Sequence, residues 1–152
     1  VFFKLSKESC TQLEHLATAP PGLRLLNTWC EKCPTDQSYK ARFKVICSAL
    51  NLAEMGVSSV IQSYNAKPVL IRRTSSIFFG DDYLELDIHV YKFANLAKQP
   101  IHMLSQKCSN MFMELGILIE GRADDELPEQ LIGCVGCNKP KEDMLEYMFP
   151  PE

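Results

Sequence analysis

Apolar and polar residues alternate strictly over Tyr83-Leu84-Glu85-Leu86-Asp87-Ile88-His89-Val90. A strand's period of two sends Leu84, Leu86, Ile88 and Val90 to one face and Tyr83, Glu85, Asp87 and His89 to the other. Downstream the period changes. Ile101, Leu104, Cys108, Met111, Leu115 and Leu118 recur at spacings of three and four, widened by Met103, Phe112, Ile117 and Ile119. That stripe predicts a long amphipathic helix opening near Asn95, containing Pro100 and ending at Gly121. A one-faced sheet followed by a one-striped helix buries both if the helix lies across the sheet. The expected fold class is therefore α+β, an antiparallel β-sheet meander packed against one long C-terminal helix.

The remaining elements follow from the same reading. Val1 to Leu5 reads as a strand and Ser9 to Ala17 as a short helix. Pro20-Pro21-Gly22 reads as a helix break, with Leu23 to Lys40 irregular apart from one turn at Leu23 to Asn27. Strands are expected at Arg42 to Cys47 and at Val57 to Tyr64. A longer strand is expected from Val69 to Phe79, although adjacent Arg72 and Arg73 cannot share a strand face. Gly80 turns it into the Tyr83 strand. Leu131 to Val135 is a last strand. Residues 1–138 are read as one domain, and 139–152 as a tail whose Met144, Leu145, Tyr147, Met148 and Phe149 dock on the domain or on a partner. The opening Val1-Phe2-Phe3-Lys4-Leu5 has no methionine and reads as mid-strand, which implies residues upstream.

Composition narrows the function. With 152 residues, 46% hydrophobic and 23% charged, the chain suits one globular domain. A net charge of −3 provides no general attraction to nucleic acid. No run reaches the roughly 18 apolar residues of a membrane span, so a soluble or peripheral protein is expected. Seven cysteines, an odd number, favour free thiols in a reducing intracellular compartment, cytoplasmic or organellar.

Candidate chemistry is sparse. Trp29-Cys30-Glu31-Lys32-Cys33-Pro34 has redox-motif spacing, but such a motif needs a thiol at the start of a long helix. Cys30, Cys33, Cys134 and Cys137 would be the four thiolates of a structural zinc site if their loops met; free thiols are the expected state, with no metal or other cofactor. Glu85, Asp87 and His89 share a face, yet sheet geometry places polar residues on a solvated face anyway, and Arg72 or Arg73 are the expected cross-strand partners. His15, His89 and His102 are dispersed, and neither a nucleophile elbow nor a phosphate loop occurs. The chain is not expected to be an enzyme.

Four segments carry a resemblance. Arg42-Phe43-Lys44-Val45-Ile46, Tyr83-Leu84-Glu85-Leu86-Asp87-Ile88, Leu118-Ile119-Glu120-Gly121 and Glu126-Leu127-Pro128-Glu129-Gln130-Leu131-Ile132-Gly133, with Asn138, resemble the C-terminal domain of the plant enhanced-disease-resistance-two proteins over about Val1 to Asn138. The resemblance implies a helix-grip, START-like arrangement and a setting among lipids and membranes, and it implies no catalytic residues. The N-terminal portion of the family domain is not matched, which implies a sheet edge or face covered by something else.

Two function classes fit. One is a non-catalytic lipid or hydrophobic-ligand binding module, with a pocket between Phe43, Val45, Leu84, Leu86 and Ile88 of the sheet and Leu104, Cys108, Met111 and Leu115 of the helix. The other is an accessory interaction subunit of a larger, membrane-associated complex. Its partner would cover the N-terminal edge at Val1, Phe2 and Phe3 and the tail residues Met144, Leu145, Tyr147, Met148 and Phe149.

Overall fold

The computed structural model describes residues 3–81 and 83–141, the side chains of residues 96 and 97 excepted. Helices α1 (Lys7–Glu14), α2 (Pro21–Lys32) and α3 (Gln37–Lys40) come first, then strand β1 (Phe43–Ala49). Helix α4 (Ser59–Gln62) and strands β2 (Pro68–Leu70), β3 (Ser75–Phe79) and β4 (Leu84–Ile88) follow. Helix α5 (Asn95–Ser105), β5 (Phe112–Ile119) and β6 (Leu131–Asn138) complete the order. The fold is α+β with antiparallel sheets. Four strands form one sheet in the order β2-β1-β5-β6, and β3 and β4 form a separate hairpin.

The expected long C-terminal helix is not formed. Its first part is α5, which stops at Ser105; a tight turn over Cys108–Asn110 then leads into β5. The Met111 to Ile119 run satisfies two periods at once. Met113, Leu115, Ile117 and Ile119 are also every second residue, and a strand flanked on both sides supports a nearly continuous apolar run. Gly116, which weakens a helix, is buried in that strand. The helix covering the sheet is α2, near the N-terminus, so the helix-grip order is not the one adopted.

That helix begins where a break was expected. Pro21 occupies its first turn, where a missing N–H costs nothing and a fixed φ suits the helix. Gly22, Leu25 and Trp29 are buried along α2, with Cys33 at its C-cap. Trp29 is 1% exposed, its ring centroid 5.7 Å from that of Phe43. Its indole N–H donates to the Tyr39 carbonyl at 2.8 Å. Burying ~200 Å² of such a ring stabilises by on the order of 5 kcal/mol before entropy is charged.

Other boundaries moved for local reasons. Val57 to Tyr64 contains the short helix α4 rather than a strand. The strand expected over Val69 to Phe79 breaks into β2 and β3 at Arg72 and Arg73, both exposed, so the two arginines never compete for a face. The meander is therefore interrupted. Phe3 to Leu5 form no strand, and α1 starts at Lys7, capped by the Ser6 hydroxyl. Val1, Phe2 and the tail from Glu142 onward lie outside the described residues.

Two clusters make the core. Leu25, Trp29, Cys33, Phe43, Val45, Ile71 and Ile119 form the first, with Ile77, Leu84, Leu86, Ile88, Leu115 and Ile117 packed against it. Leu84, Leu86 and Ile88 thus face inward as their alternation predicted, whereas Val90 lies in a turn and is exposed. Ala49, Leu52, Val57 and Met111 form the second cluster, with Met55, Ile61, Met103, Leu104 and Met113 around it.

Candidate binding surfaces

The nine residues expected to line a ligand pocket do not share one space. Phe43 and Val45 are buried in the first cluster, with Leu84, Leu86, Ile88 and Leu115 packed on it. Met111 is buried in the second cluster and Leu104 packs there. Cys108 sits in the turn between α5 and β5, half-buried. An open depression of about 500 Å³ is lined by Asn51, Glu54, Met55, Lys107, Asn110, Phe112 and Lys139. Another, of about 490 Å³, lies between the Lys4 to Gln12 segment, the start of α2 and the start of β6. Neither is lined by any of the nine.

Of the expected partner contacts only Phe3 lies among the described residues. Its ring covers Gly133 so closely that a Cβ there would sit 2.8 Å from Phe3 Cδ1. Val1, Phe2, Met144, Leu145, Tyr147, Met148 and Phe149 lie outside them.

The cysteine constellations are not assembled. Cys30 and Cys33 stand at the C-terminal end of α2, where the helix dipole disfavours a thiolate. Burial pushes the Cys30 thiol up, with the Glu31 charge adding to it. Burial pushes Cys33 to about 11, with Cys30 second. Cys134 lies opposite Gly116 and Cys137 opposite Met113, so they point to opposite faces of β6. Among the described residues no three His, Cys, Asp or Glu side chains gather at a metal-sized point. The four thiols of the zinc candidate are therefore not gathered at one point, the Cys30 and Cys33 pair closes its helix rather than opening one, and all seven cysteines are free.

Glu85 and Asp87 lie on the outer face of the hairpin, opposite Phe78 and Ser76 rather than Arg72 or Arg73. His89 stays on that side, its Nε2 2.7 Å from the hydroxyl of Ser76, the residue opposite Asp87. The outer face is a solvated one.

Two features escaped sequence reasoning. The first is the hairpin tip, where Phe78, Phe79 and Tyr83 are 51%, 47% and 61% exposed. The other end of the hairpin is anchored through Ile77, Leu86 and Ile88. The Gly80 N–H donates to the Tyr83 carbonyl at 3.0 Å, and the Tyr83 ring leaves no room for a Cβ at Gly80. The signal was present, since adjacent Phe78 and Phe79 cannot both face the core.

The second joins two of the motif segments. Arg42 donates to both oxygens of Glu126 at 2.9 and 3.1 Å, and Lys44 to both of Glu129 at 2.7 and 2.9 Å. The Gly121 N–H donates to Glu129, and those of Arg122 and Ala123 to Glu126. Arg42 also lies 4.1 Å over the Tyr39 ring. Burial pushes the Glu126 carboxyl up, but these N–H groups and the Arg42 guanidinium outweigh it and hold the carboxyl below its usual range. The Glu126 to Gly133 segment is thus clamped onto β1, a structural device rather than a reacting centre.

Fold and surface together define an α+β antiparallel-sheet domain with a clamped loop and an aromatic hairpin tip. The sequence pattern of the family described as Protein ENHANCED DISEASE RESISTANCE 2, C-terminal, matches residues 1–139, and the chain belongs to that family. No curated protein and no solved structure matches it. No helix among the described residues is long and apolar enough to cross a membrane.

Proposed function

We propose that the chain is a non-catalytic lipid-binding module that works at the surface of a membrane, through the β3–β4 hairpin tip rather than an enclosed cavity. The exposure of Phe78, Phe79 and Tyr83 on a hairpin rooted in the core carries this reading. Phenyl and phenol rings suit the boundary between headgroups and acyl chains. The family's lipid and membrane setting agrees, as does a chain peripheral to the bilayer. Asp81 at the tip and Glu85 and Asp87 on the outer face favour zwitterionic over anionic lipid. No nucleic-acid partner is invoked, and the seven free thiols suit a reducing compartment. The second reading, an accessory interaction subunit, is favoured by Phe3, which is exposed on one side while resting on β6.

Co-sedimentation with phosphatidylcholine vesicles tests the first reading. The natural chain is expected to sediment, and a Phe78→Ser/Phe79→Ser variant to lose about tenfold or more in affinity, each ring contributing on the order of 1.5 kcal/mol. Circular dichroism should be unchanged. Equal sedimentation of both proteins, or none by either, sinks the reading.

A further inference from the structure

Three stretches of chain meet at the Ala49 and Met113 end of the sheet. The turn after β1 brings Asn51, Glu54 and Met55, the turn between α5 and β5 brings Lys107 and Asn110, and Lys139 follows the last residue of β6. Antiparallel pairing fixes their meeting, since Ala49 lies opposite Met113 and Phe112 opposite Asn138. Together they line the open depression of about 500 Å³. Its walls are cross-tied. The Asn51 amide accepts from the Phe112 N–H and donates to the Asn110 carbonyl, which holds two of the three stretches together.

Two ammonium groups are held beside this depression. Lys107 is half-buried, and its Nζ donates to the Met55 carbonyl at 2.7 Å, a bond that uses one of its three N–H donors and fixes where the charge sits. Lys139 adopts φ 47°, a left-handed conformation that a residue with a Cβ takes at a cost. Its N–H donates to the Met111 carbonyl at 2.7 Å, so the sheet keeps that backbone in place, and its Nζ stands 5.2 Å from the centre of the exposed Phe112 ring. The ion pairs among the described residues are Arg42–Glu126, Lys44–Glu129 and Arg122–Glu120. Neither lysine of the depression is in one, nor is Glu54. Like charges set beside one space repel each other, and an anion between them replaces that repulsion with attraction.

The lining selects the anion. A phosphate monoester carries about −1.5 to −2 charge at neutral pH and three acceptor oxygens, which suits two ammoniums better than the single charge of a carboxylate. Glu54 disfavours the higher charge of a polyphosphate. The space exceeds what phosphate alone needs, and Met55 and Phe112 give it an apolar side against which the rest of an ester packs.

We propose that this depression binds a phosphate monoester of an apolar or aromatic alcohol, with Lys107 and Lys139 holding the phosphate and Phe112 the carbon skeleton. A free ester and a lipid headgroup such as that of phosphatidic acid share this chemistry. The residues are distinct from those of the hairpin tip, so the site does not depend on the reading given to that tip.

Titration of the full chain with phenyl phosphate and with inorganic phosphate, followed through backbone amide chemical shifts, tests the proposal. Phenyl phosphate is expected to shift Asn51, Phe112 and Lys139 and to bind about threefold or more tighter than inorganic phosphate, through contact with the Phe112 ring. The Lys139 side chain makes no hydrogen bond to the described residues, so Lys139→Met should weaken binding about tenfold with the thermal midpoint unchanged. Glu54→Gln should strengthen binding. Co-sedimentation with phosphatidylcholine vesicles, with and without phosphatidic acid, separates the two sources. A gain from phosphatidic acid that Lys139→Met abolishes and Phe78→Ser/Phe79→Ser retains assigns the site to a lipid headgroup. No such gain, with phenyl phosphate still bound, assigns it to a free ester. Binding of neither phenyl phosphate nor phosphatidic acid overturns the proposal, as does phenyl phosphate binding that Lys139→Met leaves unchanged. Equal affinities for phenyl phosphate and inorganic phosphate also overturn it, because nothing then holds the alcohol.

Discussion

The sheet is held at its two ends by different means. At the Phe43 and Ile119 end, α2, the hairpin and the sheet converge on Trp29, and two buried or half-buried ion pairs clamp the Glu126 to Glu129 loop over β1. At the Ala49 and Met113 end the core is assembled from turns, α4 and α5 around Met55, Met103, Met111 and Met113. Side-chain amides replace ion pairs there. Asn65 accepts from the Ala49 N–H at 2.8 Å and donates to its carbonyl at 3.0 Å. Asn51 accepts from the Phe112 N–H at 3.1 Å and donates to the Asn110 carbonyl at 2.9 Å. Rigid rings and branched side chains specify one packing, whereas thioethers accept several. The first end therefore organises the fold and the second adapts to it.

The sharpest way to break that comparison is to truncate each core at its centre. Trp29→Ala is expected to cost about 3–5 kcal/mol and to abolish cooperative unfolding if the protein is marginal. Met111→Ala should cost nearer to about 2 kcal/mol, because neighbouring methionines re-pack into the gap. Urea denaturation of both variants measures the difference. Equal losses would mean that the methionine end is as specifically packed as the other.

Acid should separate the two ends next. The folded Glu126 carboxyl lies below its ordinary value of 4.5, so its contribution is complete above that value and fades as pH falls through the lower, folded value. Thermal midpoints of the natural chain should fall on acidification, and Glu126→Gln should be less stable at neutral pH by about 1–3 kcal/mol with a shallower acid slope. An unchanged slope would remove Glu126 from the clamp.

The smallest effect is expected from Asn65→Ala, about 1–2 kcal/mol, for two backbone groups of β1 left to find water. Asparagine does not titrate, so this loss should be the same across the acid range. Hydrogen exchange should report it at Ala49 and not at Phe43. A loss that varies with pH would tie the two ends together.

The failure over Ile101 to Ile119 has a physical cause. A run in which nearly every residue is apolar carries helical and strand periods together, and the neighbours decide between them. β1 and β6 supply ladders on both sides of β5, which no local signal announces. Pro20-Pro21-Gly22 failed for a related reason, since a proline that stops one helix is also suited to starting the next. The pocket fell with the helix. Without α-helical geometry after Ser105, Met111 and Leu115 belong to different clusters.

Local pattern alone determined that Leu84, Leu86 and Ile88 face inward, that β1 and β6 are strands and that the domain is α+β, because alternation constrains a strand wherever one face is buried. Family membership was likewise written in the Arg42 to Ile46 and Glu126 to Gly133 segments. Tertiary structure alone decided that Glu126 and Glu129 close onto Arg42 and Lys44, that Phe78, Phe79 and Tyr83 are left at a tip, and that β6 is an edge. Each of those facts depends on which residues distant in sequence become neighbours, and pairing across so many residues is set by the packing of the whole chain rather than by any window of it.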